Sequence, residues 1–349
     1  MKYGLFPKER LHRALDIQIP SMRWDGKSYL PLWQKNARGK LSELLGLNEI
    51  AKYAVYPEIE IEFDRYSEDL DCREIRFRLA TEENVTVPCH LCIPASSKEK
   101  LPIAITLQGH SSGMHISLGR PKYPGDKEIC FGGDRDFAAR ALREGICAVT
   151  MEQRCHGENG GSPETGENPA DSCRQPAMRA LLLGRTINGE RIWDVMRLID
   201  ALEMYFSDIV DVDRLICLGN SGGGVTTIYA AAMDERIKIA VPSCAVCRYA
   251  DSIGAMLHCD CNYIPGIAKY FDMGDLCALV APRNLIVVSG AEDDIFPIDG
   301  AKASVEVGRN VFTAYGKENS IVHVIGSGGH RFYADASWPH IHMAIKELY

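Results

Sequence analysis

Residues 214–233 read RLICLGNSGGGVTTIYAAAM, and the change of texture in the middle of this run decides the fold. Leu215–Leu218 is a short apolar run of the kind that forms a strand buried on both faces of a parallel sheet. Val225–Met233 is rich in Ala and reads as a helix. Between them Gly219-Asn220-Ser221-Gly222-Gly223 matches G-x-S-x-G. A strand running into a helix through this motif puts the serine on a strained turn with its hydroxyl lifted above the sheet, and glycines two before and two after relieve the crowding. The bare motif is weak and also fits a serine in a Gly-rich helix cap; the strand before it and the helix after it make it specific.

The segments on either side repeat the alternation. Upstream, PIAITLQGH (102–110) and ICAVTMEQ (146–153) are apolar strand runs, separated by an amphipathic helix at Phe137–Glu144 with Gly145 as its stop. A Gly/Pro/Asn-rich loop covers 156–172, its carboxylates reading as a solvated loop, and one long helical stretch covers about 177–206. Downstream, IKIAVPSC (237–244), NLIVVSG (284–290) and SIVHVIG (320–326) are strands, with helices at about 299–314 and 336–348. Strands alternating with helices imply right-handed crossovers, hence an α/β fold with a mostly parallel central sheet and helices on both faces. Before Pro102 the period changes: Ile59–Phe63, Arg73–Leu79 and Val85–Ile93 alternate apolar with polar residues as half-buried antiparallel strands do. The first 55 or so residues read as helical, with Leu30, Leu32, Trp33, Leu41, Leu44 and Leu45 at helix-like spacing and Gly46 as the stop. The expected organisation is a helical extension, 1–55, packed on a catalytic domain, 56–349, which carries a pocket-lining insertion at about 245–278.

The chain has 349 residues, 46% of them hydrophobic and 25% charged, enough for one large core. Net charge is 39 − 47 = −8. With no extended Lys/Arg run, nucleic acid is not an expected partner. The N-terminus lacks the apolar stretch of a signal peptide, and no run approaches the roughly 18 apolar residues of a membrane span. Thirteen cysteines, odd in number and scattered through strands, read as reduced core thiols, which places the chain in the cytoplasm. A homo-oligomer is compatible with the composition.

A serine hydroxyl is a poor nucleophile without a base, so the motif calls for an acid and then a histidine downstream. Asp293 stands three residues past Gly290 at a strand end, with Asp294 as its rival and Pro297 beyond favouring Asp293. Of ten histidines, His330 follows the last strand on a Gly328–Gly329 loop, whereas His323 lies inside a strand and His340 and His342 lie in the terminal helix. The order Ser221, Asp293, His330 is that of α/β-hydrolases. Gly222 supplies one oxyanion amide and the loop after the first parallel strand the other, from His110 or Ser111, with Gly109 letting the backbone approach the ligand. His110, His156 and Asn220 are candidate pocket residues. Arg154 either contacts substrate or pairs with Glu152 or Glu158. The run 243–262 holds Cys244, Cys247, His258, Cys259 and Cys261. Its spacing lacks the second C-x-x-C or H-x-H pair of structural zinc, so packed thiols around a pocket and no metal are expected.

LQGHSSGMHISLG (107–119), MEQRCHGE (151–158), CLGNSGGG (217–224), VPSCAVC (241–247), APRNLIVVSGAEDDIFP (281–297) and GSGGHRFY (326–333) together resemble the acetyl xylan esterase-like branch of the dienelactone hydrolase-related α/β-hydrolases, over about 55–345 and including the helical extension. The resemblance implies a cofactor-free carboxylic ester hydrolase, with Ser221, Asp293 and His330 at the triad positions. It also implies a pocket lined by the Arg154 loop and about 245–272, and a small ester, such as an acylated sugar, as partner. Dienelactone hydrolase proper uses a Cys nucleophile where this chain has Ser221. The better-known acetyl xylan and cephalosporin deacetylases carry Gln where this chain has Asn220. Serine peptidases, thioesterases and C–C hydrolases share the triad. A peptidase of the prolyl-oligopeptidase kind needs a propeller or cap that this repeat-free chain does not build. A Cys/His metal-binding module centred on 244–261 is the non-enzymatic alternative.

Overall fold

The computed structural model describes residues 6–95, 99–160 and 173–348. Most of the expected loop at 156–172 lies outside the described residues. Among the described residues nine strands form one sheet: β1 (Ile59–Ser67), β2 (Cys72–Glu82), β3 (Val85–Pro94), β4 (Leu101–Leu107), β5 (Cys147–Met151), β6 (Val210–Asn220), β7 (Ile239–Ser243), β8 (Asn284–Gly290) and β9 (Ile321–Gly326). Their order is β1-β2-β3-β5-β4-β6-β7-β8-β9. The first three strands and the β3–β5 join are antiparallel, and the pairs from β5 through β4 to β9 are parallel.

The helices are α1 (Pro7–Asp16), α2 (Leu30–Leu45), α3 (Leu47–Ile50), α4 (Met114–Ser117), α5 (Phe137–Arg143), α6 (Arg174–Leu182), α7 (Ile187–Ala201), α8 (Gly222–Met233), α9 (Met273–Val280), α10 (Ile298–Ala314) and α11 (Ala334–Lys346). Side chains of successive strand residues point to opposite faces. Accordingly Leu215, Cys217, Leu285 and Val287 join α2, α7, α8, α9 and α10 in one core, while Ile216, Leu218, Ile286 and Val288 meet α5 and α11 in the other.

Three expectations change. The stretch read as one helix over 177–206 breaks at Gly184, whose φ of 70° ends α6; α7 restarts with the Thr186 hydroxyl accepting from the Gly189 amide at 2.9 Å. Leu32 faces solvent at 56% exposure, and the buried stripe of α2 runs instead through Trp33, Gln34, Ala37, Leu41 and Leu45. The end of the expected pocket-lining insertion, 273–278, lies in α9, which is buried along its length and belongs to the core. α2 packs into the same core through Trp33, Ala37, Leu41 and Leu45. Its Arg38 guanidinium donates to the carbonyls of Ala232 (2.9 Å) and Leu279 (3.0 Å) at the ends of α8 and α9, where a cation complements the exposed carbonyl ends.

Leu41 is fully buried. Leu41→Ala should cost about 2–5 kcal/mol by denaturant titration, in a single transition; a cost under about 0.5 kcal/mol would mean that α2 is not integral.

Candidate active site

The parallel strands deliver their C-terminal ends to one edge, where open α/β sheets hold their ligands. β6 ends at Asn220 and α8 starts at Gly222, leaving Ser221 between them with φ 57° and ψ −123°. A non-glycine residue held at such angles costs on the order of 1–3 kcal/mol. The surroundings fix it: the Ser221 amide donates to Ser243 O and the Val225 amide to Ser221 O, both at 2.8 Å. A side chain at Gly223 would put Cβ 2.1 Å from the Leu107 carbonyl oxygen, and one at Gly219 would lie 2.5 Å from the backbone of Gly223. Opposite the turn, a Cβ at Gly109 would lie 2.9 Å from that of Ser221. The glycines are thus what lets α8 start directly against the ends of β4 and β6. Gly222, first in α8, has one of the amides that a helix leaves without an internal acceptor.

Asn220 is fully buried. Oriented so that its nitrogen donates to Ser243 Oγ at 2.8 Å, its amide oxygen accepts from Arg135 Nη2 at 2.8 Å and from the Ser221 amide at 3.2 Å. It braces the turn from beneath instead of lining a pocket.

His330 reaches the same edge because β9 and β8 close on each other. The Ala291 amide donates to Gly326 O (2.8 Å) and the Glu292 amide to Gly328 O (2.9 Å), and a Cβ at Gly290 would fall 2.2 Å from Gly329 O. His330 Nδ1 lies 2.9 Å from Asp293 Oδ2, while Oδ1 of the same carboxylate accepts from the amides of Ile295 (2.9 Å) and Phe296 (3.0 Å). Burial raises the Asp293 pKa, but the His330 hydrogen bond and charge, with the Phe296 amide, outweigh it and hold the carboxyl below its ordinary value. An ionised acceptor at Nδ1 sets the tautomer with the proton there and leaves Nε2 as the basic nitrogen. The Phe296 ring stacks on the imidazole, centroids 6.0 Å apart. Asp294 is exposed, so of the two candidates Asp293 alone meets the histidine.

Behind Ser221 stand two more histidines. A Cβ on Gly222 would lie 2.8 and 2.9 Å from Cε1 and Nδ1 of His110 and 3.5 Å from Cε1 of His156. The two rings meet edge to face at 5.0 Å. His156 is buried and pushed down to about 3 by burial and by the Arg191 guanidinium, so it is neutral. Ser111 is exposed with φ 57°, and the Ser112 hydroxyl donates to Gly109 O at 2.8 Å, tightening that loop. Arg154 pairs with Asp194 (2.7 Å), Glu82 (2.6 Å) and Glu190 (3.1 Å). Of the two alternatives it takes the ion pair, but with these three carboxylates and not with Glu152 or Glu158. Cys244 Sγ donates to Arg331 O and Cys247 Sγ to Pro297 O, whereas Cys259 and Cys261 converge elsewhere, on His110 and Cys173.

Three residues of this edge escaped the sequence reading. Gln153 donates to Gln108 O and accepts from the Thr226 hydroxyl at 2.7 Å, tying β4, β5 and α8 together. Arg191, fully buried, donates to Arg154 O at 2.8 and 3.0 Å. Cys173, at the start of α6, meets Arg191 Nη2 at 3.2 Å. Arg191 and Cys173 fall where the sequence reads as solvated helix and loop, and only the fold turns them inward.

Glu152, at the end of β5, accepts from the Met114 and Glu158 amides at 3.1 Å, and burial lifts it from 4.5 to about 8. The raised value means that the folded chain keeps a proton the unfolded chain has released. Its stabilising effect is complete below about pH 4.5 and is lost as pH rises through about 8. Glu152→Gln should therefore gain stability relative to the parent progressively between these limits, as read from denaturation midpoints at a series of pH values; parallel profiles would show that Glu152 titrates normally.

No family model matches the sequence. One curated relative is 29% identical over 153 residues, 43% of this chain: the "Putative hydrolase YtaP" of Bacillus subtilis, about half of whose length the match spans. Among solved structures, a "putative acetyl xylan esterase" from Bacteroides fragilis superposes with a TM-score of 0.75 at 17% identity, covering 93% of this chain and 83% of that one. A glucuronoyl esterase from Solibacter usitatus gives 0.66 at 15% identity, covering 95% and 97%. At such identities the structural likeness speaks for the fold.

Proposed function

We propose that the chain is a serine carboxylic ester hydrolase on an α/β-hydrolase fold. The observation that carries this reading is the placement, beyond the C-terminal ends of parallel strands and in the chain order Ser–Asp–His, of a serine on a strained strand–helix turn and a histidine whose Nδ1 lies 2.9 Å from a buried carboxylate. In the proposed cycle Ser221 Oγ attacks the ester carbonyl while His330 Nε2 takes its proton. Asp293 holds the tautomer and stabilises the imidazolium. The Gly222 amide and that of His110 or Ser111 receive the oxyanion. His330 then gives its proton to the leaving alkoxide, and the acyl-enzyme is hydrolysed by a water that His330 deprotonates in turn.

The structural neighbours are named as carbohydrate esterases, which makes short-acyl esters of sugars the first substrates to try. No described helix is long and apolar enough to cross a membrane. All thirteen cysteines are free thiols, which supports a reducing compartment, the cytoplasm.

On an aryl acetate, Ser221→Ala should abolish turnover. Asp293→Asn should lower kcat by roughly 10⁴-fold, since the wrong tautomer is then held, and Asp294→Asn should change it by less than about threefold. Full activity in Ser221→Ala, or equal losses in the two Asp variants, would overturn the assignment.

A further inference from the structure

Behind the serine turn, the ring nitrogen of His110 and the Sγ atoms of Cys173, Cys259 and Cys261 all lie within 4.8 Å of one another. His110 Nε2 is 3.0 Å from Cys261 Sγ, and Cys261 Sγ is 3.3 Å from Cys259 Sγ. A tetrahedral zinc ion, with Zn–S of about 2.3 Å and Zn–N of about 2.0 Å, holds its ligand atoms about 3.5–3.8 Å apart, within the spread seen here. Cys173 and Cys261 are buried, and Cys259 is half-buried.

The second observation is Arg191. Its side chain is completely buried, and none of its partners among the described residues is a carboxylate. It donates to the Arg154 carbonyl, to His156 Nε2 at 3.1 Å, to Cys261 Sγ at 3.3 Å and to Cys173 Sγ at 3.2 Å. A buried guanidinium without a counter-charge is costly, and neutral thiols provide none. Three thiolates and one divalent ion carry a net charge of −1, which balances Arg191.

We propose that His110, Cys173, Cys259 and Cys261 form a closed tetrahedral site for a thiophilic divalent cation, zinc foremost, with Arg191 as its buried counter-ion. Binding releases the three thiol protons and changes no oxidation state. Four protein ligands leave no open position, so the ion is structural. It ties the loop after β4, the start of α6 and the turn at 259–262 into one wall beside Ser221. With Nε2 on the metal, the proton of His110 stays at Nδ1, on the ring edge that lies against Gly222. This site replaces the packed thiols expected from the sequence. Spacing within 243–262 could not reveal it, because two of its ligands, His110 and Cys173, lie far away in the chain.

Protein purified without chelators should carry about one equivalent of zinc per chain by mass spectrometry of the metal. Cys259→Ser/Cys261→Ser should lose it, whereas Cys277→Ser, in the interior of α9, should keep it. Since the double variant can fail to fold, the parent protein provides an independent reading. Stripped of metal under reducing conditions and titrated with cobalt, it should show the intense visible bands of tetrahedral thiolate-bound cobalt, saturating at about one equivalent. A reduced parent protein that neither carries nor takes up zinc or cobalt would overturn the proposal. So would zinc retained in a folded double variant, or a disulfide joining two of the three cysteines in protein kept under reductant.

Discussion

The tight contact between the start of α8 and the ends of β4 and β6 is the constraint on which the site depends. Backbone meets backbone there so closely that a single methyl group on Gly219 or Gly223 would collide with main-chain atoms, which no rotamer change can relieve. The contact forces Ser221 into a conformation that residues with side chains avoid. It also fixes the direction of its hydroxyl and turns the positive end of a twelve-residue helix toward the same point. That strain persists only because the surroundings over-determine it. Asn220 and Arg135 brace the turn from beneath, Gln153 and Thr226 pin α8 to the neighbouring strands, and Arg38 and α2 cap the far ends of α8 and α9. The N-terminal helices thus belong to the support of the site, although no residue of theirs reaches it.

Charge is distributed in two distinct ways around the turn. On the His330 side an ionised, well-solvated-by-amides carboxylate faces a single imidazole, an arrangement suited to stabilising a cation that forms transiently. On the His110 side a permanently charged Arg191 is sealed in the interior beside a neutral His156 and a group of thiols. A bound metal–thiolate centre would neutralise that charge and hold it away from the acyl chemistry. The same wall contains Glu152, whose burial keeps it protonated near neutral pH.

The alternation of strands and helices and the candidate triad rest on local patterns. Apolar strand runs, Gly stops and the G-x-S-x-G turn are each set within a dozen residues, and strand ends locate Asp293 and His330. Pro297 favours Asp293 over its neighbour Asp294, and the burial of Asp293 beside His330 agrees with that preference. What stayed hidden depends on long-range convergence. Arg191 looks like one more charge on an amphipathic helix until α7 is seen packed against β2 and α8. Arg154 looks like a free cation until Glu82, Glu190 and Asp194, from two other elements, close on it. The single charge of α9, Asp275, is itself buried and paired with Arg23, a partner 252 residues away in the chain.

The most direct test of the central claim, that Ser221 is an activated nucleophile, is labelling with a fluorophosphonate followed by peptide mass spectrometry. Stoichiometric phosphonylation of the peptide containing Ser221, lost when the protein is denatured first and slowed in His330→Ala, is the predicted result. An unlabelled Ser221 in folded protein, or a label carried by another residue, would contradict it.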